Sequence, residues 1–154
     1  MKKLILTLLL VILLAVGLKG IAKVYEPLIL FHPDLSLELT PELMGMSSVE
    51  APIRSGDRWL YGWLIKADSD RYCVFFHGNA GNIADRLDFA KTIAPLKLNL
   101  LLFDYQGYGR SEGIPSIDGV EQDAVAAVTF LHEKGKVPLN RIVLWGRSLG
   151  GALA

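Results

Sequence analysis

Ile142-Val143-Leu144-Trp145-Gly146-Arg147-Ser148-Leu149-Gly150-Gly151 is the stretch that decides how this chain folds. An apolar run enters a Gly-x-Ser-x-Gly turn, the pattern of a buried strand that bends sharply into a helix with a serine at the bend. Glycines are needed two residues either side of Ser148, where any side chain would collide with the tight backbone. The bend lifts the serine hydroxyl to the edge of the sheet. The Leu149 N–H, at the start of the helix, then faces any negative charge that forms there.

Upstream, buried-looking strands alternate with amphipathic helices: strand 72–76, helix 83–94, strand 98–103, helix 119–133 and strand 142–145. This β-α-β-α-β order predicts a mostly parallel sheet. The strands lack apolar–polar alternation, as expected where both faces are covered. Ile83, Leu87, Ala90 and Ala94 fall on one face of the first helix, and Val120, Ala124, Ala127, Val128 and Leu131 on one face of the second. Asp118 followed by Glu121 reads as a capping box, with Gly135 and Pro138 closing the far end. Earlier, Arg54-Ser55-Gly56-Asp57 is a polar turn between Ile53 and the run 59–65, which predicts an antiparallel hairpin. The first strand is expected near 47–51, after a proline-punctuated connector over 25–46.

The chain has 154 residues, 51% of them hydrophobic, and its 16 basic and 16 acidic side chains give a formal net charge of +0. That is enough for one domain, and it offers no basic field for nucleic acid. Cys73, the one cysteine, lies in the apolar run 72–76 and reads as core packing. Lys2 and Lys3 precede the apolar run 4–18. If Lys19 and Lys23 snorkel, a helix over 4–24 reaches roughly 31 Å, enough to cross a hydrocarbon core. Residues 1–24 are therefore expected to be a single-pass N-terminal membrane anchor, with the domain outside. The alternative is a signal peptide cleaved at Ala15-Val16-Gly17 or Gly20-Ile21-Ala22, leaving a secreted or periplasmic protein.

Three glycine-bearing loops fall at the carboxyl ends of consecutive parallel strands, the edge where open α/β sheets bind ligands: 77–82, 104–111 and 146–150. Ser148 supplies a nucleophile. The N–H groups of Leu149 and Asn79, the latter in the tight turn after His77-Gly78, supply two donors for an oxyanion. Each such donor contributes roughly 3 to 4 kcal/mol to acyl transfer. Asp104 is expected to accept hydrogen bonds from the glycine-turn amides. Asp85, Arg86, Asp88 and Lys91 read as a solvated helix face. A dinucleotide-binding reading of Gly107-x-Gly109 fails, because Glu112 stands where a third glycine is needed and Ile114-Pro115 separates the loop from the helix.

His77-Gly-Asn-Ala-Gly-Asn82, Asp104-Tyr-Gln-Gly-Tyr-Gly-Arg-Ser111 and Gly146-Arg-Ser-Leu-Gly-Gly151 together resemble the membrane-anchored branch of the α/β-hydrolase superfamily, over residues 25–154. The resemblance implies strand order 1-2-4-3-5, Ser148 as nucleophile, and Asn79 with Leu149 as the oxyanion hole. It also implies hydrolysis of an ester, thioester or amide of a small-molecule or acyl substrate, with no metal and no organic cofactor. Residues 47–154 then form the N-terminal portion of the hydrolase domain, an α/β-hydrolase fold cut after the nucleophile strand. Gln106 replaces the arginine usual in the family's turn and is expected to alter loop packing.

In the family order the acid and the histidine follow the serine, whereas only Leu149 to Ala154 follow Ser148 here. His77, His132 and His32 lie in the oxyanion loop, at a helix end and in the connector, and none reads as the base. Removing the histidine of such a triad costs on the order of a millionfold in turnover. The chain by itself is therefore expected to be nearly inert, with strand 142–145 an uncovered apolar edge prone to pairing with other chains. A complementing chain carrying the missing acid and histidine is the partner this implies. The alternative is a membrane-tethered, non-catalytic fragment or binding module.

Overall fold

The computed structural model describes residues 2–154, and Met1 of the predicted anchor lies outside the described residues. A long helix, α1 (Lys2–Leu30), is followed by short strands β1 (His32–Pro33), β2 (Ser48–Glu50), β3 (Ile53–Ser55), β4 (Arg58–Leu60) and β5 (Gly62–Ile65). Then come β6 (Tyr72–Phe76), β7 (Ala80–Gly81), α2 (Leu87–Ile93), β8 (Asn99–Phe103), α3 (Ile117–Thr129) and β9 (Ile142–Gly146). The central sheet has the order β2-β5-β8-β6-β9. Its β8–β6 and β6–β9 pairs are parallel, and β2 and β5 join antiparallel at the other side. In chain order within the sheet this is 1-2-4-3-5, the α/β-hydrolase arrangement that the motifs implied.

Successive side chains of a strand point to opposite faces, so a strand covered on both sides must be apolar throughout. All five residues of β8 are buried. Val74, Phe76, Leu101 and Phe103 pack toward Val120, Ala127 and Leu131 of the α3 side. Cys73, Phe75, Leu100 and Leu102 pack on the other face toward Ile83, Leu87, Ala90 and Ile93. Each such fully buried large side chain contributes about 1.5–3 kcal/mol. Cys73 is a packing residue of this second layer, free and buried, and burial pushes its thiol up to about 11.

Several local expectations are corrected. The helix expected over 83–94 is a 3₁₀ turn (Ile83–Arg86), then α2, then a second 3₁₀ turn (Ala94–Leu96). This brings Leu87, Ala90 and Ile93 onto the sheet at intervals of three and leaves Ala94 exposed. Asn82 caps the first turn in a reciprocal box with Asp85, so Asp85 belongs to a cap rather than to a merely solvated face. The cap of α3 is Ser116, whose Oγ accepts from Gly119 N–H at 3.1 Å, in place of the expected Asp118–Glu121 box. That helix ends in a π-turn, Phe130–Lys134, before Gly135. The run 59–65 is split at Tyr61: β4 closes the hairpin with β3, while β5 enters the central sheet.

The connector differs most. The helix α1 does not stop at Val24 but runs through Pro27 to Leu30. β1 follows at once and pairs in parallel with β7, His32 opposite Ala80 and Pro33 opposite Gly81. Residues 5–30 form an apolar helix that is exposed along its length except at the half-buried Glu26 and Pro27. At 1.5 Å per residue these span about 39 Å, more than the ~30 Å hydrocarbon core of a bilayer. At the opposite side of the sheet, β9 pairs only with β6 among the described residues, and Val143, Leu144 and Trp145 are each about two-fifths exposed.

Candidate active site

Parallel pairing of β8, β6 and β9 brings the loops after them to one edge of the sheet. The β6–β9 ladder continues one bond past the strand, Arg147 N–H donating to Phe76 O at 3.0 Å, and then the backbone turns. Ser148 adopts φ 55°, the left-handed region that costs an L-residue roughly 1–2 kcal/mol. A 3₁₀ turn follows over Ser148–Ala152, with Gly150 N–H donating to Arg147 O at 3.0 Å. A Cβ on Gly146 would strike the Gly150 carbonyl, and a Cβ on Gly150 would strike the Phe76 carbonyl. The glycine spacing is thus a steric consequence of bending a strand back over its neighbour.

Ser148 is exposed at this bend. A Cβ built on Gly78 would lie 3.6 Å from Ser148 Cβ and 3.5 Å from Arg147 O, so the His77-Gly78-Asn79 turn abuts the serine. The Asn79 carbonyl accepts from His32 N–H at 2.9 Å and from Tyr108 Oη–H at 2.8 Å. The Asn79 N–H has no hydrogen-bond partner among the described residues. The Asn79 side-chain amide donates to Leu30 O at 2.9 Å, the last residue of α1. Structure therefore brings together the turns bearing Ser148, Leu149 and Asn79.

Beneath the turn lies a buried polar cluster. The His77 Nδ1 pairs with Gly78 O at 2.7 Å, so this nitrogen carries the proton. Its Nε2 lies 3.6 Å from Asp104 Oδ1 with no hydrogen-bond partner. Burial holds His77 down to about 4 and pushes the Asp104 carboxyl up to about 8, against the pull of the Ile83 N–H. Both shifts favour the neutral form of the side chain. Asp104 accepts from Ile83 N–H at 2.9 Å, at the start of the turn after the loop 77–82, and not from the glycine-turn amides as expected. Its Oδ2 is packed where a Cβ on Gly109 would fall.

The residues that sequence reasoning missed are those that fix the His77-Gly78-Asn79 turn. Tyr105 Oη–H donates to His77 O at 3.1 Å, and Tyr108 to Asn79 O as above. The Asn82 side chain donates to Asp34 O at 3.1 Å and to Ser36 O at 2.5 Å, and Gly109 N–H donates to Asp34 O at 3.0 Å. Both tyrosines stood inside a quoted motif, and two phenols in a short glycine turn were the available signal. Gln106 acts through packing: it is buried, its N–H donates to Asp123 Oδ2 at 2.8 Å, and its side-chain amide sits against Gly119. His132 is engaged at the far end of α3 by Val137 O at 2.9 Å. No side chain hydrogen-bonds Ser148 Oγ, and no cluster of metal-ligating groups is found, among the described residues.

Known proteins are similar to this chain in sequence and in fold. The family described as serine aminopeptidase, S33, matches residues 67–154. The alpha/beta hydrolase domain-containing protein WAV2 of Arabidopsis thaliana is 39% identical over 137 residues, covering 84% of this chain and 44% of that protein. Protein bem46 of Schizosaccharomyces pombe is 39% identical over 121 residues, covering 75% of this chain and 40% of the yeast protein. Among solved structures, an esterase of Pyrococcus furiosus superposes with a TM-score of 0.71 at 24% identity, over 81% of this chain and 49% of the esterase. The chain spans about half the length of the curated relatives it matches.

Proposed function

The chain belongs to the α/β-hydrolase family, and from that premise we propose that it carries the nucleophile and oxyanion hole of a membrane-anchored serine hydrolase. The observation that carries this reading is the left-handed Ser148 at the end of β9, beside the Gly78 turn. Ser148 Oγ attacks an acyl carbonyl, its proton passes to a general base, and the carbonyl oxygen becomes an oxyanion. The N–H groups of Asn79 and Leu149 receive that charge. Because neither comes from a mobile side chain, no reorganisation is spent when the charge develops. The oxyanion collapses, expelling an alcohol, thiol or amine protonated by the base, and water then releases the acid.

The histidine and acid of the triad come from outside residues 1–154, from later sequence or a complementing chain. Support lies in the three histidines here: His77 is engaged beneath its own turn, His132 is at the far end of α3, and His32 sits in β1. The same observation favours a second reading, a tethered non-catalytic module. The apolar helix α1 supports an anchor. A fluorophosphonate probe on the purified full-length protein separates the two readings. Labelling abolished by Ser148→Ala supports the hydrolase; absence of labelling in the parent supports the module.

A further inference from the structure

The apolar helix does not reach the catalytic edge through a flexible linker. Leu30, its last residue, accepts a hydrogen bond from the Asn79 side chain, and two residues later His32 N–H bonds to Asn79 O. One side of the same helix end is clamped to α3, with Lys23 Nζ 3.0 Å from Asp118 and Ile117 N–H donating to Glu26 at 2.6 Å. The oxyanion turn therefore has a fixed height above the anchor. If the hydrocarbon boundary falls at Val24, Leu30 and the turn bonded to it stand about 9 Å beyond it, within or just above a headgroup layer. If the longer apolar span is taken up by tilt, they stand closer still. Beside these polar contacts, exposed apolar side chains stand at the helix end and on the segments that follow it or lie just before α3: Leu28, Ile29, Leu35 and Ile114 are each about 70% exposed (72%, 67%, 68% and 69%).

We infer that the substrate is a long-chain acyl ester of a lipid resident in the same bilayer as α1, drawn up by about 9 Å or less to the Asn79–Ser148 edge, rather than an ester arriving from water. This rests on the reading of Ser148 as nucleophile and of α1 as an anchor. Geometry supports it in two ways. A glycerolipid ester carbonyl already lies at the boundary between hydrocarbon and headgroups, so the climb is short. The exposed Leu28, Ile29, Leu35 and Ile114 give the rising acyl chain and the domain base apolar surface to share, and burying it in the interface is favourable. In the reaction, the bond from Ser148 Oγ to the acyl carbon forms first, giving the oxyanion, and the ester C–O bond breaks as that oxyanion collapses. The departing alkoxide takes the serine proton through the base, and water releases the fatty acid.

The test uses full-length protein reconstituted in phosphatidylcholine vesicles holding a fluorescent-acyl phosphatidylcholine, with p-nitrophenyl butyrate as the water-soluble ester and a fluorophosphonate label as the readout of Ser148. The parent protein is expected to label, and to hydrolyse the lipid in its own vesicles but not in separate protein-free vesicles. The pair Leu35→Glu and Ile114→Glu is expected to keep labelling and p-nitrophenyl butyrate turnover while losing lipid turnover by about tenfold or more. Lipid turnover unchanged in that pair, or labelling and soluble-ester turnover without lipid hydrolysis, overturns the inference and leaves the nucleophile standing. So does turnover of an S-palmitoyl peptide in the vesicles with none of the lipid. Absence of labelling overturns both.

Discussion

Replacing Ser148 by glycine should make the protein more stable while destroying its chemistry, and replacing it by alanine should do only the second. The residue is held at φ 55° by the bonds Arg147 N–H to Phe76 O and Gly150 N–H to Arg147 O, so it cannot relax out of the left-handed region. An L-residue there costs roughly 1–2 kcal/mol. Glycine escapes that cost but brings back roughly 0.5–1 kcal/mol through the greater freedom of the unfolded chain. The net expectation is a gain of about 1 kcal/mol for Ser148→Gly over Ser148→Ala, which keeps its Cβ and hence the strain. For a domain of this size that is a rise of roughly 2–4 °C in Tm. Thermal unfolding of both variants in the same detergent, at matched scan rates, reads the difference. Equal melting temperatures, or a glycine variant that melts first, would refute the strained bend and with it the steric account of the two flanking glycines.

Gly150→Ala should fail more severely, since its Cβ meets the Phe76 carbonyl, a backbone atom that cannot step aside; a loss of about 3 kcal/mol or more is expected in denaturant titrations. Stability should also depend on pH in an unusual way. His77 is depressed from its ordinary value to about 4, so its contribution grows as pH rises to about 6.5. Asp104 is raised to about 8, so its contribution falls as pH rises from about 4 to 8. The two offset one another up to about pH 6.5; above it only Asp104 acts, and stability should drop by about 2 kcal/mol between pH 6.5 and 8 and then level off. In Asp104→Asn that drop should vanish, as urea midpoints across the range would show. Asp123→Ala strands the buried Gln106 N–H and should cost about 1–3 kcal/mol, whereas Asp123→Asn, which keeps an acceptor, should cost less.

What the sequence made legible were features with a period or a forced geometry. The strands β6, β8 and β9 read as uninterrupted apolar runs because both faces are covered, and the serine turn reads from glycines that sterics demand. The strand order came from resemblance, since no single run says which neighbour it pairs with. Less legible were features set by tertiary contact. Helix α1 passes through Pro27, and its end meets Asp118 and Ile117 of α3, far away in sequence. The strand β1 has only two residues and exists because the loop 77–82 offers it the Asn79 and Gly81 carbonyls. Ser116 outcompeted Asp118 as a cap, a shift of two residues that propensity does not resolve. Asp104 was misread because its partner, Ile83 N–H, belongs to the turn after a different strand.

The most direct test of the central claim is an experimental structure of the full-length protein after reaction with a fluorophosphonate. The account predicts a phosphorus–oxygen bond to Ser148 Oγ and a phosphonyl oxygen about 3 Å from the N–H groups of both Asn79 and Leu149. An adduct on another residue, or one on Ser148 whose phosphonyl oxygen faces solvent away from Asn79, would contradict it.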